Sequence, residues 1–411
     1  MHGHGHSGGP PASVATRRLL VAIVGPIAVA TLLGLLILWP TGESPSLGGA
    51  EIEQFKGTVS AVEENDCGPD VPSNFVCRTV TTTIDSGPDA GDRVSFETAD
   101  PSSAEGLETG DKILLTRSPD PEGGNDYFFA DFQRGVPLVV LGIMFAVLVV
   151  ALSRWRGLAA LAGLALSLLL LVKFILPAIL QGESPVLVSI VGSSAIMFVT
   201  LYLAHGWNVR TTSAVIGTLI SLGLTGVLAL IFVSASRFTG LGSEEATFLQ
   251  VSAEQVNLEG LILGGIIIGT LGVLDDVTVT QSSAVWEIHR ANPSYKVREL
   301  YNSAVQIGRD HIASTVNTLV LAYAGASLPL LILFTLSSRP LGQLVATEVV
   351  AEEIVRTLVG SIGLVASVPI TTLLTAAVVS RDAAARTRTR RPVTHQQVDF
   401  LAPKKEREWR T

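Results

Sequence analysis

The sequence predicts a polytopic α-helical membrane protein: about eight transmembrane helices, with a small extracytoplasmic β-barrel, OB-like, between the first and second. Three observations carry this. Of 411 residues, 48% are hydrophobic and only 16% charged, less charge than a soluble chain of this size carries. Apolar runs long enough to span a bilayer recur along the chain. The charges are segregated by sign between the intervening segments, even though the net charge is −8.

Residues 1–18 read as a solvated cytoplasmic tail; His2, His4 and His6 could hold a soft divalent metal only loosely. Arg17 and Arg18 then precede an apolar run at 19–39. It is long enough to cross a bilayer and has no small-x-small cleavage site, so it reads as an uncleaved signal anchor.

Residues 41–134 form the one sizeable polar region. FKGTVSAV (55–62), CRTVTTTI (77–84), RVSFET (93–98) and KILLTR (112–117) alternate or are rich in β-branched residues. Turn signals separate them at 66–68, 86–88, 91–92 and 110–111. About five short strands so spaced favour a small barrel of OB type. Cys67 and Cys77 are the two cysteines, and in an oxidising compartment they close a loop as a disulfide; two free thiols are the alternative. Neither has a His or Cys neighbour that would make a zinc site. YFFADFQR (127–134) ends the region and reads as an aromatic anchor at the membrane interface.

Seven more spans fall near 136–153, 157–176, 185–204, 213–234, 260–282, 311–335 and 353–380, so that 136–380 is a seven-helix membrane domain. Loop charge fixes the orientation. One side holds Arg154, Arg156, Arg210, Arg290, Lys296, Arg298 and Arg309; the other holds Glu183, Glu244, Glu245, Glu254, Glu259, Glu348 and Glu352. Only Arg237 and Arg339 depart from the pattern. Positive-inside bias therefore places both termini in the cytoplasm, the chain in the cytoplasmic membrane, and the cysteine-bearing region outside. The basic tail, 381–411, reads as a topology signal and anionic-lipid contact, not a nucleic-acid site.

Polar residues within the spans carry the functional expectation. In GLILGGIIIGTLGVLDDVTVTQ, Gly265, Gly269, Gly272 and Asp276 share one helical face. Small residues on one face permit close helix packing, so Asp276 is expected to project toward protein. Asp275 lies about 100° around the helix, toward another neighbour. A carboxylate at that depth costs several kcal/mol unless paired, hydrated or protonated. The functional reading is a proton- or cation-binding pair; helix-end charges or an ion pair with Arg309 is the bland alternative.

The next span opens IGRDHIASTVNTLVLAYAG. Asp310, Ser314 and Asn317 share one face, and His311, Thr315 and Thr318 an adjoining one. Such a stripe resembles a polar path, with His311 titrating near neutrality, although Ser, Thr and Asn also serve as interhelical glue. In the last span Arg356, Gly360, Gly363, Ser367 and Thr371 lie on one face, Glu352 and Arg356 are salt-bridge partners at i, i+4, and Pro369 is expected to kink the helix.

LGVLDDVTVTQSSAVWEIHRANP followed by GRDHIASTVNTLVLAYAGASLPLL resembles the YibE/F family of bacterial membrane proteins, over most of 136–380. A weaker likeness is to the SecD/SecF proteins of the RND-type, proton-driven transporters. It is carried by a span ending in an Asp motif, a basic loop and a Ser/Thr-Asn-Thr-Leu helix. That resemblance implies that Asp275, Asp276 and the stretch from Arg309 to Thr318 contribute to a proton pathway. The chain departs from it in having eight spans rather than six, so the match would begin near residue 185.

The leading expectation is a transporter or export-assisting protein coupled to protons. The second is a non-transporting scaffold whose outer β-domain binds a protein, peptide or glycan. No HExxH, GxSxG, Walker loop or paired-cysteine metal motif favours an enzyme, and no cofactor or resident metal is expected.

Overall fold

A computed structural model of the chain describes residues 12–42, 53–67, 74–101, 106–119, 125–337 and 339–389. His2, His4, His6 and the basic run beyond residue 389 lie outside these. The chain divides into two compact units: residues 46–157, and residues 1–45 together with 158–411.

The smaller unit holds a curled, half-barrel antiparallel sheet. Its strands are β1 (Gln54–Asn65), β2 (Phe75–Ile84), β3 (Arg93–Pro101), β4 (Lys112–Pro119) and β5 (Asn125–Phe132), in the order β3-β2-β1-β4-β5. Period-2 alternation turns Phe55, Val59, Val80, Ile84, Phe96, Ile113, Leu115 and Tyr127 into one core. The register shifts between Val59 and Ala61, bending the long central strand. Gly87 has φ +97°, and a methyl there would strike the Phe55 ring, so both backbone and space demand glycine. A Cys67–Cys77 disulfide closes the connection from β1 to β2, where Asn65 pairs with Cys77.

The aromatic segment expected to be an interfacial anchor is instead the fifth strand. Phe129 pairs with Leu115, Tyr127 is buried, and Phe129 and Phe132 pack on the core. Alternation in DYFFADF, with a ladder partner in β4, outweighs the interfacial preference of aromatic rings. After the sheet comes α2 (Gly135–Leu170), whose backbone leaves the helical region at Arg154 (φ 52°, ψ −128°). A methyl at Gly157 would meet the Val149 carbonyl oxygen, so the chain turns sharply there.

The larger unit is helical. α1 (Val14–Ile37) comes first; a π-helical turn (Leu171–Ile175) and α3 (Leu176–Leu180) continue from α2. Then follow α4 (Pro185–His205), α5 (Val209–Ala235), α6 (Glu244–Ser252), α7 (Leu258–Ala291), α8 (Val297–Ala326), α9 (Leu328–Leu336), α10 (Leu341–Val345) and α11 (Glu348–Thr389). α7 packs against α4, α5, α8 and α11. α1 joins through Leu20 and Val24 on Met197, Leu201 and Val215. Its far end is held by Trp39 stacked on Phe174 at 5.7 Å and by Gln181, whose amide donates to the Gly42 carbonyl at 2.6 Å.

Among the described residues, six helices are long and apolar enough to cross a membrane, or seven with the bent pair α8–α9 as one span. This differs from the eight read from sequence in two places. Gly135–Leu180 counts once in that total, although its backbone leaves the helix at Arg154, where the sequence reading divides 136–153 from 157–176. The expected span at 311–335 is broken: α8 begins earlier, at Val297, and ends at Ala326, and α9 leaves it at 64°. Pro329, in the first turn of α9, supplies no N–H to the preceding turn and disfavours helical backbone at Leu328, so the helix restarts there. α11, by contrast, remains one helix through Pro369.

In the sheet, burial and the hydrogen bond to the Asp89 carboxylate push the Tyr127 phenol up to about 12. A free tyrosine titrates near about 10. The neutral phenol is thus favoured by folding. Its stabilisation is full below pH about 10 and is lost as pH rises through about 12. Tyrosinate absorbance of wild type minus Tyr127→Phe should show a midpoint near about 12. A midpoint near about 10 would mean that the Asp89 contact does not form in solution.

Candidate functional site

The interior shared by α5, α7 and α11 is lined with hydroxyls. Thr218, Ser221, Thr225, Thr270, Thr278, Ser367, Thr371, Thr372 and Thr375 are buried. Several satisfy themselves one helical turn back: Thr218 to Ala214, Ser221 to Gly217, Thr225 to Ser221, Thr270 to Ile266 and Thr372 to Val368. A hydroxyl bonded this way leaves its methyl or methylene to pack and costs little in an apolar setting. Glycines on the facing helices receive them. Gly363 meets Thr225, Gly217 meets Thr371, and Gly360 meets Thr270. Thr218 and Thr278 also share a hydrogen bond at 2.7 Å between α5 and α7. The face of α11 singled out from sequence is therefore a packing face.

Gln281 was not singled out from sequence, yet it ties three helices. Its amide donates to the Ala304 carbonyl of α8 at 2.8 Å and to the Thr372 hydroxyl of α11 at 2.7 Å. Its carbonyl lies at Gly308, where a methyl would collide with it and with Val368. A buried side-chain amide three helical residues after a hydroxyl was the available signal. Ser282 similarly donates to the Arg210 carbonyl of α5 at 2.9 Å.

The aspartate pair sits on α7 beside this interior. Asp275 turns toward α4, where its Oδ2 shares the Thr200 hydroxyl at 3.3 Å with the Ile196 carbonyl at 2.9 Å; its Oδ1 is buried without a hydrogen-bond partner. Asp276 turns the other way, and its side chain is 73% exposed. Its Oδ2 lies 3.8 Å from Nε2 of His311 on α8. That gap exceeds a direct hydrogen bond, and the His311 Nε2 is buried without a hydrogen-bond partner.

Sequence reasoning placed Asp276 against protein through the glycine face of Gly265, Gly269 and Gly272. The structure leaves that face open. A methyl at Gly265 or Gly272 meets nothing within 4 Å, and at Gly269 only the Tyr323 hydroxyl comes near. The helix gains more by burying Leu263, Ile266, Ile267, Leu271 and Leu274 than by burying glycines that offer no side chain. The close contact of α7 on α4 is made one residue earlier, by Gly264 against Ser189. Asp275, not Asp276, is consequently the more enclosed carboxylate.

The α8 stripe is split in the same way. His311 faces α7, and Thr315 donates to the His311 carbonyl at 2.8 Å. Asp310, Ser314 and Asn317 are exposed on the other side of the helix. Arg309 makes no ion pair with Asp275, Asp276 or Asp310 among the described residues. Arg356 bridges Glu352, as expected, and also Glu353. Glu348, two turns earlier, was missed; it receives the Thr239 and Gly240 backbone N–H groups at 2.7 Å and fastens the segment after α5 to the start of α11. No group of three or more His, Cys, Asp or Glu side chains among the described residues could hold a metal ion.

Gly363→Leu should destabilise the bundle by about 1–3 kcal/mol through collision with Thr225, whereas Gly272→Ala should be neutral or gain up to about 1 kcal/mol in helix propensity. Thermal unfolding in detergent separates the two; equal shifts would count against the packing described.

The family model described as YibE/F-like protein matches residues 141–381, which include the whole of α4 to α10 and most of α11. No curated protein and no solved structure matches the chain.

Proposed function

The chain belongs to the YibE/F-like protein family, and from that premise we propose that it is a membrane transporter or export-assisting protein coupled to protons, its substrate unassigned. The observation that carries the reading is Asp275: a carboxylate inside an apolar helical bundle, with one oxygen lacking any partner and the other reached by a single hydroxyl. An ionised carboxylate there is costly unless a proton, a cation or water compensates it, so exchange of one of these is the natural task of the site. Asp276 and His311, one residue further round α7 and across to α8, provide the next acceptor and donor. Thr315 lies one turn beyond His311 on the same side of α8, while Asp310, Ser314 and Asn317, exposed on the other side, are left out of the path.

The wider frame is part of the proposal. Apolar side chains face outward along α2, from Val136 to Leu152, as lipid contact requires. Dividing Gly135–Leu180 at Arg154 and taking α8–α9 as one broken span restores eight crossings. Positive-inside bias sets both termini in the cytoplasm and the sheet outside, where a disulfide persists. The strand order, with β1 between β2 and β4, is that of an OB-like Greek key whose closing pair is unmade.

A second reading, a scaffold that binds a protein, peptide or glycan through its outer domain, is favoured by the two sheet edges, β3 and β5.

Purified protein in liposomes carrying a pH-sensitive dye distinguishes the two. An imposed pH gradient should drive proton flux in the wild type, and Asp275→Asn should reduce it to the leak of empty liposomes. Asp276→Asn should slow it. Equal flux in all three would remove proton coupling and leave the scaffold.

A further inference from the structure

A cavity of about 900 Å³ opens between α1 and the ends of α4, α5, α7 and α11, away from the aspartate pair. Its inner wall is apolar: Leu20, Val21, Val24, Gly25 and Ala28 of α1 face it. Its rim is cationic and aromatic. Arg17, Arg210, Arg290 and Arg386 line it, with Trp207, Tyr202 and Trp286. Trp207, 85% exposed, stacks on Tyr202 at 4.1 Å.

The rim carries excess positive charge in a chain whose net charge is −8. Asp382 is the one carboxylate in the lining among the described residues, and its oxygens are engaged. One accepts the Ser13 backbone N–H at 2.6 Å; the other pairs with Arg386 at 2.8 Å. Those contacts tie the start of α1 to the end of α11 and so form one wall. Arg290 has an exposed partner in Glu287 at 3.4 Å. Arg17 and Arg210 make no ion pair among the described residues. A second observation points the same way. The Trp286 indole nitrogen and Nδ1 of His289, both on lining residues, are buried without a hydrogen-bond partner. Buried polar atoms of this kind call for a partner that the protein does not supply.

We propose that this cavity is a binding site for an anionic phospholipid, its phosphate headgroup held by Arg17 and Arg210 at the rim and its acyl chain along the Leu20–Ala28 wall. A cationic rim above an apolar cleft matches an amphiphile; it matches neither a soluble anion, which has no use for the apolar wall, nor a neutral lipid, which has none for the arginines. Arginine suits phosphate through paired N–H donors, and Trp207 and Trp286 stand at the level where headgroup meets chain. The occupant bridges α1 to the bundle. The inference rests on the membrane reading above but not on proton coupling.

The test uses full-length protein in vesicles of phosphatidylcholine, into which phosphatidylglycerol with brominated acyl chains is titrated while tryptophan fluorescence is read. The component lost in the Trp207→Phe/Trp286→Phe variant reports the cavity. In the wild type it should be quenched at mole fractions well below those needed with brominated phosphatidylcholine. Arg17→Gln/Arg210→Gln should reduce that preference about tenfold or more. Ala28→Phe, which fills the apolar wall and leaves the charges intact, should lower quenching by the same lipid independently. Equal quenching by the two lipids in the wild type overturns the proposal while leaving membrane insertion in place. Quenching by neither lipid overturns both. Reversal of the signal by soluble glycerol phosphate overturns the lipid as occupant in favour of a free phosphate compound.

Discussion

The close approach of α5, α7 and α11 depends on hydroxyls seated in glycine gaps. In the proposed membrane setting, helices hold together by packing and modest polar contacts, each worth about 0.6 kcal/mol on average. Thr225 against Gly363, Thr371 against Gly217 and Thr270 against Gly360 supply both at once. Thr225 and Thr270 return their protons to their own helices, whereas the Thr371 hydroxyl is buried at the contact without a partner. That contact positions everything else in the bundle. It directs one side of α7 inward, leaves its glycine stripe outward, and thereby decides which of two adjacent aspartates is enclosed.

Asp275 and Asp276 show how much a rotation of about 100° determines. One carboxylate meets α4 and a lone threonine hydroxyl; the other meets α8 and an imidazole. Under the proposed proton coupling, unlike surroundings would let the two groups hold a proton at different times. Gln281, tying α7 to both α8 and α11, couples the helix that carries His311 to the helix that carries the threonine seam.

Most of the fold was legible in the sequence because its signals are strong and local. Long apolar runs located the helices, β-branched alternation located four strands, and paired cysteines in a polar segment gave the disulfide. What escaped depended on context. The aromatics of β5 mark an interface or a strand equally well until β4 is there to pair with them. The break at Ser327 needed Pro329 to be read as a restart inside an apolar run. The glycine stripe of α7 was visible, but which of two adjacent glycine faces packs is decided by the bulk of Leu263, Ile266 and Leu274, and so Gly264 rather than Gly265 meets its neighbour. Gln281, Thr200 and Glu348 gave no local signal, because their partners lie far away along the chain.

The central claim is that Asp275 takes up and releases a proton within the bundle. Infrared difference spectroscopy of the reconstituted protein, following the C=O stretch of a protonated carboxyl as bulk pH is varied, addresses it directly. The account predicts a titrating carboxyl band that is absent in Asp275→Asn and is retained, with a changed profile, when His311 is replaced by Gln. A band that does not change with pH, or one that survives Asp275→Asn unaltered, would contradict it.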